Sequence, residues 1–249
     1  LLRHRAGGGR GMTDTQKKPL WKNELVWLFL LTSGLFAILY SKFILGGYAY
    51  VFTDTGADTM QINYAQYGLF SSLFRSGESG YVLQAGLGMD VSSYYPAYLI
   101  PYNLLILLAP QRLLPWAVLA SAYLKMITIS LVGYLFYRKL MQDGIGTMAA
   151  ALAWTFSGYV ILWGQQYGFC TCMALFTVFM YFFQCYLNGE KRWKNAGLVL
   201  TVTMLLFASY YFLYMIAFFA VFYVVIYSIM QKRSIKSAAG KMIGLGGMG

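Results

Sequence analysis

Long apolar runs separated by short basic clusters mark this chain as an all-α integral membrane protein, a polytopic helical bundle. Hydrophobic residues make up 59% of its 249 positions and charged residues only 11%, well past the apolar share of a soluble domain. A mean hydropathy of +0.56 points the same way. The net charge of +11 arises from clusters between the runs: Arg3, Arg5 and Arg10; Lys17, Lys18 and Lys22; Arg138 and Lys139; Lys191, Arg192 and Lys194; Lys232, Arg233, Lys236 and Lys241. Spacing of that kind belongs to cytoplasmic loops of a multi-pass plasma-membrane protein. The partner it calls for is the lipid bilayer, and it argues against nucleic acid.

Taken in order, residues 1–23 form a basic cytoplasmic N-terminus. Within it LLRHRAGGGRG, residues 1–11, precedes Met12 and reads as upstream message, so translation is expected to start at Met12. The first apolar run, 25–45, has no small-residue cleavage site behind it and is expected to remain as an anchor. Further runs near the roughly 20 residues that cross a bilayer lie at 113–137, 145–163 and 169–187. The stretch 196–230 is too long for one crossing, and the basic residues after it must return inside, so a hairpin is expected to turn near Ser209 to Tyr211.

With the N-terminus inside, residues 46–96 become one large external loop, carrying Asp54, Asp58, Glu78 and Asp90 against a single Arg75. Arg138 and Lys139 belong inside, so 97–109, bounded by Pro96, Pro101 and Pro110, is expected to be interfacial or re-entrant. The expected transmembrane domain therefore runs 24–231 with six crossings, and 232–249 is read as the basic, Gly-rich cytoplasmic end of a fragment of a longer protein.

Chemistry concentrates in the loop at FTDTGADTMQ, residues 52–61. Asp58 and Gln61 have capping-box spacing, and Ile62, Ala65, Leu69, Phe70 and Leu73 alternate at helical period with Gln61, Asn63, Gln66, Ser71 and Ser72. An amphipathic helix over 58–75, apolar side on the outer membrane surface, follows. Asp58 then either caps that helix, worth about 1 kcal/mol, or joins Asp54 as a general base and a ligand for a divalent cation, Mg or Mn, in chemistry on a lipid phosphate. Cys170, Cys172 and Cys185 sit inside an apolar run and His4 is the sole histidine, so zinc and histidine acid–base chemistry are not expected.

Lys125 falls near the middle of its span, where an unpaired cation costs about 2.5–3.5 kcal/mol. A polar cavity facing an anionic lipid phosphate would explain it. Gln165 and Gln166, with Tyr167, form an expected external turn beside that place, readable either as a solvated turn or as substrate contacts. Tyr94 and Tyr95 are placed for the outer aromatic belt or for sugar stacking.

Finally, DTGADTMQINYAQYGLFSSLFRSG, then GLGMDVSSYYPAYLIPYNLLILLAP, then Lys125 and SYYFLYMIAFFAVFYVVIYSI occur in an order that resembles the YfhO family of bacterial membrane proteins, over about residues 20–230. That resemblance implies a GT-C-like fold and a glycosyltransferase moving a sugar from a polyprenyl-phosphate carrier to an extracellular cell-envelope polymer such as lipoteichoic acid. It implies loop acids at Asp54 and Asp58, the following amide at Gln61 and the turn at Gly86 and Gly88. The chain departs from the family at VLQAGLG, where an aromatic residue usually precedes the turn. A transporter or flippase for a lipid-linked sugar and a non-catalytic envelope assembly protein remain alternative readings. The absence of a clear inverted repeat counts against the transporter.

Overall fold

The computed structural model describes residues 23–51, 58–78, 80–83, 88–92, 94–141 and 143–230. Four helices in this range are long and apolar enough to cross a membrane: 111–137, 144–163, 167–187 and 210–230. Two shorter apolar helices, Glu24–Leu39 and Trp193–Ala208, accompany them. The chain is an all-α, multi-pass membrane protein.

Helix α1 (Glu24–Leu39) starts on an Asn23 cap whose side chain accepts from the Leu25 amide, and it ends at Tyr40, after which the single turn α2 (Ser41–Leu45) continues the run. Its hydroxyls pin it to α6 (Leu114–Tyr137): Thr32 and Ser130 share a buried hydrogen bond of 2.7 Å, and Ser33 meets the Tyr123 hydroxyl at 2.8 Å. At the other end of α1, the Tyr134 hydroxyl of α6 donates to Glu24. In an apolar medium these polar contacts fix which faces meet, where apolar packing alone discriminates poorly.

The loop helix begins as a π-helical stretch, Thr59–Tyr64, and passes into α3 (Ala65–Ser76). This changes two expectations. Asp58 is already helical and makes no capping hydrogen bond, so no capping box forms. The wider π turn also rotates the helix relative to a uniform 3.6-residue pattern. Ile62 is exposed, whereas Ser71 is buried and donates to the Ala109 carbonyl at 2.6 Å. The buried face, Tyr67, Phe70, Ser71 and Leu73, packs on α5 (Pro101–Leu108) and the 3₁₀ turn Gln111–Leu113.

Between them lie a two-stranded antiparallel hairpin, β1 (Tyr81–Val82) with β2 (Met89–Asp90), and the short α4 (Tyr95–Tyr98). Gly88 leaves the hairpin turn at φ +108°, and an added Cβ there would run into the Tyr81 ring, so a glycine is required. Helix α5 has eight residues, too few to cross a bilayer, and prolines stand at its start and two residues past its end.

Helices α7 (Gly144–Thr155) and α8 (Gly158–Trp163) form one broken rod, restarted by Ser157, whose side chain accepts from the Val160 amide. A turn at 164–166 leads into α9 (Tyr167–Leu187), and α10 (Arg192–Ala208) and α11 (Tyr210–Met230) follow. The break between these last two is Ser209, in extended conformation, where the hairpin was expected. Helices α6 and α9 form the centre, with α1, α5 and α7 against α6 and α10 against α9. At one end Glu190 accepts from Lys139 at 2.5 Å and from Lys194 at 2.6 Å, tying the basic clusters together. Burial works to raise its carboxyl, but the two lysines prevail and bring it down to about 2.

Candidate functional site

At the end of the bundle where the loop packs, a cavity of about 210 Å³ opens between the loop helix, α4, α5, α9 and the last residue of α10. Its polar lining comes from Asn63, Gln66, Tyr67, Tyr94, Tyr98, Asn103 and Thr171. The volume falls below the roughly 300–1,000 Å³ of drug-sized sites.

Each wall is held by a specific bond. Tyr67 donates to Asn103 Oδ1 at 3.4 Å, and Asn103 Nδ2 donates to the Ala97 carbonyl at 3.0 Å, joining loop helix, α5 and α4. Asn63 Nδ2 donates to Gln166 Oε1 at 2.7 Å, and the Thr59 hydroxyl reaches the Gln165 carbonyl at 3.4 Å, so the loop helix is latched to the α8–α9 turn. The Tyr67 ring stacks on Tyr167 at 5.3 Å, and the Tyr167 hydroxyl donates to the Tyr50 carbonyl. Burial pushes the Tyr67 hydroxyl well above the ordinary phenol range; burial and then the Tyr40 hydroxyl beside it do the same for Tyr50. These phenols therefore act as neutral hydrogen-bonding groups and not as bases.

Behind the floor stands Lys125, 2% exposed, whose Nζ donates to the Tyr167 carbonyl at 3.1 Å. The Thr171 hydroxyl donates to the same oxygen at 3.0 Å, and Thr171 lines the cavity. Lys125 thus lies one shared acceptor away from the cavity and does not line it, a difference from the sequence expectation. The lysine stem leans toward the N-terminus of its own helix, which brings the amine to the start of α9.

Among the expected site residues, Tyr94 lines this cavity; Gln165 and Gln166 bond to Thr59 and to the cavity-lining Asn63, and Lys125 shares its acceptor with the cavity-lining Thr171. Asp58 is exposed and stands about one π turn ahead of the cavity-lining Asn63. Gln61 is exposed on the same stretch and is not part of the lining. Tyr95 donates to the Glu78 carbonyl at 2.6 Å and packs edge-on against Phe70, so it braces the loop. Gly88 serves the hairpin turn. Asp54 and Gly86 lie outside the described residues. Among the described residues no three His, Cys, Asp or Glu side chains gather as a metal site, and Asp58 is the one carboxylate of the expected cation pair that the structure describes.

Sequence reasoning missed Asn103 and Thr171. Both are lone polar residues in apolar runs, and that isolation was the available signal. Asn63 and Gln66 were read as a solvated face, whereas they line the cavity.

The family described as bacterial membrane protein YfhO matches residues 28–246, most of the chain and all of the elements that build this cavity. The chain belongs to the YfhO family. Neither the curated proteins nor the solved structures hold a significant match to it. This YfhO protein is accordingly a bacterial multi-pass membrane protein whose polar cavity is assembled between its loop and its bundle.

Proposed function

We propose that this YfhO protein is a glycosyltransferase that moves a sugar from a polyprenyl-phosphate carrier to an extracellular envelope polymer of the lipoteichoic-acid kind. The observation that carries the reading is the polar cavity, with a buried lysine behind its floor and a carboxylate-bearing helix at its edge. Asn63, Gln66, Tyr94 and Asn103 offer neutral donors and acceptors of the kind that hold sugar hydroxyls. Lys125 gives the floor a positive charge suited to a phosphate. Two apolar hollows of about 270 and 250 Å³ share Phe176 and Phe219 beside α9 and α11 and offer room for the carrier's chain.

In this reading a loop carboxylate, Asp58 or Asp54, takes the proton from the acceptor hydroxyl. The acceptor oxygen bonds to the anomeric carbon while the bond from that carbon to the phosphate oxygen breaks. The polyprenyl phosphate then leaves with the electron pair. A divalent cation bound by Asp54 and Asp58 would neutralise the leaving phosphate, and Asp58 offers one exposed carboxylate to such an ion.

The test is transfer of labelled sugar from a polyprenyl-phosphate sugar to envelope polymer in proteoliposomes. Transfer that depends on the protein supports the reading. Movement of the intact labelled lipid between leaflets without transfer replaces it with a flippase.

A further inference from the structure

Resting on the reading of this protein as a sugar transferase, we propose that Tyr98, with Gln66 and Tyr94, recognises the hydroxyls of the transferred sugar inside the polar cavity. The polar groups that line the cavity divide into two sets. Tyr67, Asn103 and Thr171 direct their hydrogen bonds to one another or to backbone carbonyls, and Asn63 bonds to Gln166. Gln66, Tyr94 and Tyr98 line the same space, and among the described residues their side chains make no hydrogen bond.

Tyr98 carries the argument. It is 7% exposed, with Phe70 stacked on its ring at 4.2 Å and Tyr67 edge-on at 5.8 Å. A phenol buried that far normally has a hydrogen-bond partner. Its oxygen is nevertheless not enclosed by protein, since the one enclosed side-chain nitrogen or oxygen without a partner among the described residues belongs to Ser121. The hydroxyl therefore keeps part of the small surface that Tyr98 retains, and the space Tyr98 lines is the cavity. The half-buried Gln66 amide is open in the same sense. Tyr94 is exposed and stands four residues before Tyr98, one helical turn away. The aromatic packing fixes the Tyr98 ring, so its hydroxyl is held in place before any ligand arrives.

The chemistry of the three groups selects the ligand. A phenol hydroxyl and a primary amide each donate and accept. Sugar hydroxyls do the same, whereas an ionised phosphate only accepts and would set the Gln66 carbonyl against an anion. Among the described residues no charged side chain lines the cavity, and the Lys125 amine is directed to the Tyr167 carbonyl behind it. The cavity is thus the sugar subsite, and the three side chains are recognition residues.

The experiment titrates the purified full chain in nanodiscs with a short polyprenyl-phosphate hexose and with the same polyprenyl phosphate lacking the sugar, reading affinity and ligand-free thermal midpoint. Tyr98→Phe keeps the stacked ring and removes the hydroxyl. It is expected to weaken binding of the sugar-bearing lipid about two- to tenfold and to leave the bare phosphate unchanged. Gln66→Met and Tyr94→Phe should act alike, and Gln66→Met, at a half-buried position, makes the same test away from the core. Without ligand, Tyr98→Phe should melt no lower than wild type, because it breaks no hydrogen bond among the described residues. Wild-type affinity of Tyr98→Phe and Gln66→Met for the sugar-bearing lipid overturns the proposal. Equal weakening of both lipids also overturns it, because the cavity would then hold the phosphate, and a lowered ligand-free midpoint in Tyr98→Phe does so by revealing a structural partner. Sugar-dependent weakening without any transfer sustains the recognition role and removes the transferase. Transfer that all three variants leave at the wild-type rate and affinity sustains the transferase and removes the recognition role.

Discussion

Replacing Asp58 with Asn separates chemistry from structure with little ambiguity. An acid at a helix start normally confounds such a test, because losing its cap costs about 1 kcal/mol. Here Asp58 is exposed, already helical and free of any capping bond, so the amide should shift stability by no more than about 0.5 kcal/mol. Losing a general base costs about 10²–10⁴ in rate, or roughly 3–5 kcal/mol of barrier. The two effects differ several-fold, so one variant distinguishes them. The assay is sugar transfer from a labelled polyprenyl-phosphate donor, alongside thermal unfolding and expression of the same preparation. The expected result is an unchanged melting point with transfer down by at least two orders of magnitude, in Asp58→Asn or, if Asp54 is the base, in Asp54→Asn. Full transfer by the Asp54→Asn, Asp58→Asn double variant, normally expressed, would refute the enzymatic reasoning.

Membrane sidedness is open to cysteine labelling: a cysteine at Ser92 should react from outside the cell while cysteines at Gln142 and Ser234 should not, against a low background because Cys170, Cys172 and Cys185 are buried. Labelling of Gln142 from outside would overturn the assignment of 46–96 as the external loop. Glu190→Gln should lower stability by about 0.5–2 kcal/mol at neutral pH, because it severs two partly exposed ion pairs, and unfolding in detergent reads the loss. The folded carboxyl is depressed to about 2, so this contribution is present above the usual carboxylate range and disappears as pH falls toward 2; a difference from wild type that persisted there would contradict the ion-pair account. Thr32→Val should cost only about 0.6 kcal/mol, typical of hydrogen bonds between membrane helices, and a loss above about 2 kcal/mol would show that the Thr32–Ser130 contact positions α1 more strongly than its geometry implies.

What could be read from the residues alone divides along a physical line. Apolar run length and prolines act locally, and they placed α6, α9, the short α5 and the break at Ser209 close to where the structure has them. The face of the loop helix was not legible, because its phase depends on a π turn and on α5 arriving beside it, neither of which a period of 3.6 encodes. The same division runs through the site. Lys125 could be singled out because a cation amid apolar residues needs a reason, but the group that receives its amine is a backbone carbonyl 42 residues further on. Backbone acceptors leave no trace in composition. Asn103 was passed over for a related cause: its side chain links Tyr67 to Ala97, and the need for that link exists only once three separate segments have met. A cavity built from such long-range bonds is a property of the fold, and the lone polar residues Asn103 and Thr171 are where an apolar sequence records it.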